Sequence, residues 1–243
     1  VAFDLEKVTQ YHNVMGHLNF SDCFKMLDMQ PGPVPRCESC CTTKLVRHNI
    51  EKEAMTRASK PLFRVFADLS GRKRSSLAGY RYYLIIVDDY SRKRWVYWLK
   101  EKSEAYSKLV DFVVMVERQQ PNFKIAFLNT DGGGEFIFKQ LKNFCNSLGI
   151  TQNFSAPYCQ FQNGVAERSV DIIDSSARAM LEHSGCETYD WPYAVNHSVF
   201  LRNNVRSGSL TSDSTPNELY FGVKRFDVPQ GIFGCLSYAK VYV

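Results

Sequence analysis

"FLNTDGGGEF", residues 127–136, closes an apolar run on an aspartate, follows it with three glycines and then supplies Glu135. The run belongs to "KIAFLNT" (124–130), short and apolar enough for a buried strand, and it gives way to "EFIFKQLKNFCNSLG" (135–149), which predicts a helix ending at Gly149. Asp131 at this junction is either a turn former ahead of glycine or a carboxylate held at the tip of a strand. The choice depends on what the neighbouring strands carry.

Upstream, "LFRVFADLS" (62–70) reads as a strand bearing Asp68. "YRYYLIIVDDYSRKRWVYWLK" (80–100) reads as two strands joined by the turn "DDYSR". In that turn Asp88 and Asp89 are ordinary residues and stay outside the candidate site. "SEAYSKLVDFVVMVERQQ" (103–120) brings Leu109, Phe112, Val113 and Val116 onto one helical stripe, with Ser103 as the expected cap. Downstream come a brief strand, "TQNFSA" (151–156), and the loop "PYCQFQNG" (157–164). A long helix over 165–183 and another within 191–205 follow, and "STPNELYFG" (214–222) carries a capping box of Thr215 and Glu218 with Pro216 at the first helical position. Three strands, helix, strand, helix, strand, helix is the order of an α/β fold with a mixed sheet flanked by helices.

Ahead of this unit, residues 9–29 form a small helical segment with Ser21 as its expected cap, "QPGPVP" (30–35) breaks it, and "RCESCC" (36–41) follows. Residues 51–60 are charged and lack apolar periodicity, as a linker does. His12 and His17, with four residues between them, and Cys37 and Cys40, with two between them, offer two nitrogen and two thiolate ligands suited to tetrahedral zinc. Cys41 is a substitute ligand, although adjacent side chains rarely point at one metal.

The chain has 243 residues, 44% of them hydrophobic, ample for a packed core. Nothing in it resembles a signal peptide, and no apolar run approaches the ~18 residues of a membrane span, so an intracellular protein with no membrane partner is expected. Without an initiator Met, and stopping at "SYAKVYV", it reads as a segment of something longer. Eight cysteines in a chain this long do not suggest a disulfide scaffold. The net charge of +5 concentrates in residues 42–64, in "GRKRSS" (71–76) and in "YSRKRW" (90–95), stretches suited to a polyanion.

Asp68, Asp131 and Glu167, from three elements, can meet only if cations offset their mutual repulsion. Two Mg²⁺ or Mn²⁺ ions would do so and would clamp the attacking and leaving oxygens at a phosphate.

With "YHNVMGHL" and "CESC", then "RVFADLSG", "YRYYLIIVDDYSRKRWVYWLKEKSEA", "NTDGGGEF", "YCQFQNGVAERS" and "SARAMLEH", the sequence resembles the integrases of Ty1/copia-type LTR retrotransposons across almost its whole length. Asp131 and Glu167 have 35 residues between them, as in the D,D(35)E pattern of such integrases. The resemblance implies a zinc-binding domain over 1–50, a linker over 51–60, an RNase H-like catalytic core over 61–206 and an extension over 207–243. It implies that His12, His17, Cys37 and Cys40 hold structural Zn²⁺ and that Asp68, Asp131 and Glu167 hold the catalytic Mg²⁺ or Mn²⁺. Gln162, Asn163, Arg168 and Arg178 become the expected DNA contacts. The implied activity is joining of element cDNA 3′ ends to target DNA by a homo-oligomer, in the nucleus after a stage in cytoplasmic virus-like particles. Self-association is expected through core helices, including residues 191–201. The rival readings are a captured, inactive integrase that only binds DNA or a partner, and a nuclease using water on the same fold. One departure stands out: where the family carries Asn and a basic residue after "AER", this chain has Val170 and Asp171.

Overall fold

A computed structural model describes residues 4–43, 57–130, 135–154, 163–206, 208, 210, 213–224 and 231–236. Strands β1 (Arg64–Leu69), β2 (Tyr82–Asp88), β3 (Arg94–Leu99), β4 (Phe127–Thr130) and β5 (Thr151–Phe154) form one sheet in the order β3-β2-β1-β4-β5. The β3/β2 and β2/β1 pairs are antiparallel, and β1/β4 and β4/β5 are parallel, which is the mixed sheet expected. The parallel half requires crossovers, and helix α4 (Ala105–Gln119) and helix α5 (Glu135–Leu148) provide them.

Successive residues of a strand point to opposite faces, so the sheet has two cores. Val65, Ala67, Leu84, Ile86 and Leu128 pack against the α4 stripe of Leu109, Phe112, Val113 and Val116 and against Leu141 of α5. Phe66, Tyr83, Ile85 and Val87 face the other way, toward helix α6 (Gly164–Ser184) and helix α7 (Trp191–Asn204). Helix α8 (Pro216–Phe221) adds the expected capping box, in which Thr215 accepts from the Glu218 N–H.

Two caps differ from the sequence reading. Among the N-terminal helices α1 (Leu5–Val14), α2 (Phe20–Met26) and α3 (Glu38–Thr43), α2 is capped by Asn19, whose side chain accepts from the Asp22 N–H at 2.9 Å, so Ser21 falls inside the helix. Before α4, Glu101 and Glu104 form a reciprocal box around one tight turn that contains Ser103. In both places the cap lies two positions upstream of the expected serine, a distance that periodicity does not resolve.

The N-terminal helices share the α6/α7 core. Val8, Met15, Leu18, Phe20 and Phe24 join Met180, Val195 and Leu201 in one apolar cluster. Gly16 marks the closest approach: its φ is +62°, and a Cβ there would fall 2.8 Å from Leu201 Cδ1. Of the expected linker, residues 57–60 are described, and they are fixed to the β2–β3 turn. Asp89 accepts from the Ala58 N–H at 2.8 Å through Oδ2 and pairs with Arg64 at 3.1 Å and Arg92 at 3.0 Å, while its carbonyl accepts from Arg57. Asp88, fully buried, accepts from the Leu62 and Ser91 N–H groups, both at 2.8 Å, and burial pushes its carboxyl up. The two turn aspartates therefore clamp the start of the core. Sequence alone, with both read as ordinary turn formers, does not show that they are buried.

Candidate metal centre and active site

α1 ends in a turn in which both Gly16 and His17 take left-handed backbone, and this reversal brings the His17 ring back to His12. His12 Nε2 and His17 Nδ1 lie 3.1 Å apart. Cys37 Sγ is 3.3 Å from His17 Nδ1, and Cys40 Sγ, carried on α3, is 3.4 Å from His12 Nε2. All four ligand atoms fall within 4.8 Å of one another, and both imidazoles are buried. Tetrahedral zinc with N and S ligands at about 2.0–2.3 Å needs ligand atoms roughly 3.3–3.8 Å apart, which the three contacts of 3.1–3.4 Å approach, and the donor set suits the ion.

His12 Nδ1 lies 2.6 Å from the Leu18 carbonyl oxygen, which only accepts, so Nδ1 carries the proton and the Nε2 lone pair is turned toward the cluster. His12 also stacks on Phe20 at 4.2 Å between centroids. Cys41 is exposed, so Cys40 is the thiolate turned inward.

The carboxylate site lies at the other end of α6. Asp68 sits near the end of β1, half-buried, opposite Ile85 of β2 and hence on the face toward α6. Its Oδ1 accepts from the Leu69 N–H at 2.9 Å. Ala67, the preceding residue, pairs with Thr130, the residue before Asp131 in the chain. Asp131 and Gln162 themselves lie outside the described residues. Glu167 lies in the first turn of α6 and is exposed. Around Tyr83 the negative charge is dense: burial, then Asp174, Asp68 and Asp171, push its phenol far above the ordinary range.

Asn163 does not take the role expected of it. It is 0% exposed, and its amide donates to the Ala67 carbonyl at 3.2 Å. Its own carbonyl accepts from Ala166 and Glu167 N–H groups, so it fastens the first turn of α6 to β1 one residue from Asp68. A loop amide before a helix suggests an exposed contact, whereas the tight strand-helix junction consumes it. Arg168 and Arg178 are exposed, Arg178 leaning on Ser175 Oγ at 3.4 Å. Among the described residues Asp171 is exposed and makes no ion pair.

Sequence reasoning missed Asp174. It accepts from Tyr83 Oη at 2.8 Å and from Lys73 Nζ at 2.6 Å. The signal was its place seven residues after Glu167, two turns along one helix face. Helix α7, expected to mediate self-association, buries Trp191, Ala194, Val195, Ser198, Val199 and Leu201 within the chain. Tyr193 remains 69% exposed and Phe200 39%.

Residues 59–159 match the integrase core domain family. The chain is 28% identical over 237 residues, 95% of its length, to the retrovirus-related Pol polyprotein from transposon RE2 of Arabidopsis thaliana. It is 28% identical over 247 residues, 99% of its length, to that from transposon TNT 1-94 of Nicotiana tabacum. It spans only 16% and 18% of these polyproteins. In fold it is similar to a chain in the cryoEM structure of the simian T-cell lymphotropic virus intasome in complex with PP2A regulatory subunit B56 gamma. That likeness has a TM-score of 0.57 and 17% identity, and covers 87% of this chain and 70% of that one.

Proposed function

The chain belongs with the copia-type retrotransposon integrases, and on that premise we propose that it joins the 3′ ends of element DNA to target DNA using Asp68, Asp131 and Glu167. The observation that carries the reading is the Asn163 fastening, which starts the Glu167 helix beside the β1 end that bears Asp68. Mg²⁺ or Mn²⁺, held by these three acids, would supply charge stabilisation for both the attacking and the leaving oxygen at phosphorus. The protein's own part is positioning. The sheet fixes Asp68, α6 fixes Glu167, and DNA is held by Lys and Arg at its phosphates, with an affinity that falls as salt rises. Element ends and target are double-stranded DNA, and two ends must be paired, which a homo-oligomer achieves. A nuclear site of action follows from a chromosomal target.

In the same reading His12, His17, Cys37 and Cys40 hold structural Zn²⁺ with no open position for chemistry. The N-terminal helices then act as a folded platform rather than a second catalytic unit.

Labelled duplex ends incubated with the protein and Mn²⁺ test the proposal. Joined products support strand transfer. Nicked products alone would make the protein a nuclease, and shifted but uncut DNA an inactive integrase-derived binder, an outcome that the acidic Asp171 makes worth testing.

A further inference from the structure

Between the two metal sites runs a buried polar chain that neither site accounts for. Ser70, two residues beyond Asp68, exchanges two hydrogen bonds with Tyr83: its N–H donates to the Tyr83 carbonyl and its Oγ accepts from the Tyr83 N–H, both at 2.9 Å. The Tyr83 hydroxyl donates to Asp174 Oδ1 at 2.8 Å, and Lys73 donates to Asp174 Oδ2 at 2.6 Å. Lys73 also lies over the rings of Tyr83, at 5.4 Å, and Trp191, at 6.0 Å. Trp191 in turn donates to the Arg74 carbonyl at 2.9 Å, which holds the 70–81 segment against α7. The side chains of Asp174 and Lys73 are only 16% and 19% exposed, so each depends on the other for compensation.

The geometry of a helix gives this chain its meaning. Seven residues are about two turns and return to within roughly 20° of the same direction, so Asp174 and Glu167 share one face of α6, about 10 Å apart along its axis. Asn163 fixes where α6 begins, and Asp174 fixes how it is rotated about its axis. We propose that Asp174 is a positioning residue, which through Tyr83 and Lys73 sets the angle at which α6 presents Glu167 to the Asp68 end of β1. The proposal rests on the carboxylate reading given above. It assigns Asp174 no metal: its two oxygens hold Tyr83 and Lys73.

The test uses the whole 243-residue chain in the strand-transfer assay, with Mn²⁺ varied and kcat and KM for DNA ends measured separately. Tyr83→Phe removes only the hydroxyl that Asp174 accepts. Its kcat should fall roughly 10- to 100-fold, the scale of a misplacement of about 1 Å, with KM within about twofold. Higher Mn²⁺ should restore part of that loss, because a mispositioned ligand weakens metal binding without deleting a ligand. Asp174→Asn, which keeps an acceptor for Tyr83 but drops the charge that Lys73 needs, should fall between Tyr83→Phe and the parent. Tyr220→Phe is the control, since that hydroxyl is buried in the opposite core without a hydrogen bond among the described residues, and its kcat should be unchanged. The inference is overturned if Tyr83→Phe lowers only the melting temperature, with kcat and Mn²⁺ dependence at the parent's values. It is overturned equally if its loss is not relieved at any Mn²⁺ concentration. Glu167→Gln separates the two claims. If that variant stays active, the site reading fails and takes this inference with it. If it is dead and Mn²⁺ does not rescue it while Tyr83→Phe behaves as the parent, only the positioning role is lost.

Discussion

Against α4 and α5 the sheet presents Val65, Ala67, Leu84, Ile86 and Leu128, and what meets them is apolar. Against α6 and α7 the same strands present Phe66, Tyr83, Ile85 and Val87, and here polar groups are threaded through the packing. Tyr83 engages Asp174. Arg94, almost wholly buried, donates from Nε to Ser169 at 3.3 Å and from its backbone to Asn203 at 2.8 Å. Burial, then Arg202 and Arg92, lower its affinity for its proton. An apolar face is tolerant in direction and holds elements together by area alone. Hydrogen bonds fix angle as well as distance, so the face that carries Asp68 and Glu167 is the one on which buried polar groups repay their desolvation cost with geometry.

Four changes would tell the two faces apart. Removing metal from the His12, His17, Cys37 and Cys40 cluster should have the largest effect, since structural zinc contributes on the order of 10 kcal/mol in small domains. Hydrogen exchange should show residues 4–43 opening and protection falling along α6 and α7, while α4 stays protected. Equal loss on both faces, or no zinc found by metal analysis, would erase the distinction. Next, Phe112→Ala on the apolar face should cost about 3–5 kcal/mol by denaturant melts, with DNA binding lost only as the fold is lost. Phe112 stands edge-on to Trp95 at 5.1 Å, so the cavity would not readily close.

Glu167→Gln should leave stability within about 0.5 kcal/mol, as for an exposed residue, yet reduce strand transfer at least ~100-fold, about 2.7 kcal/mol of barrier. A stable protein that still joins DNA at the parent's rate would move the site elsewhere. The smallest effect is expected at Asp171, four residues after Glu167 and exposed on α6. Asp171→Lys should tighten binding to a DNA end and steepen the salt dependence by roughly one phosphate contact. An unchanged slope would mean that this flank of the helix does not meet DNA.

Lys93 is the exception on the α4 side, a buried cation at the edge of the apolar core. It enters a cage of Trp95, Tyr220 and Phe221, with Phe221 at 4.8 Å and Asn217 Oδ1 as acceptor, and burial pulls its pKa down to about 8 while the ring faces offset part of that cost. Between about pH 8 and the usual lysine value the unfolded chain holds more protons there than the folded one, so stability should rise with pH across that window. Lys93→Met should flatten the rise.

Much of this was present in the order of residues. The β-branched and aromatic runs in residues 80–100, the stripe of α4 and the capping box at Thr215 specify elements whose signals are local, and the spacing of His12, His17, Cys37 and Cys40 specifies a candidate ligand set, because each pair is close in the chain. Asp68 and Glu167 were likewise legible as acids at element ends. What the sequence did not contain was any pairing across distance. Asn163 and Asp174 are ordinary as letters. Only the crossing of β1, β2 and α6 decides that one amide is buried against Ala67 and one carboxylate receives Tyr83 and Lys73. Likewise the Trp191 and Leu201 side of α7 is buried because α6, β3 and the N-terminal helices converge on it, while Tyr193 and Phe200 stay outside. Period and spacing are properties of neighbours in the chain, whereas burial and hydrogen-bond partnership are properties of neighbours in space, and these exist only once the chain has folded.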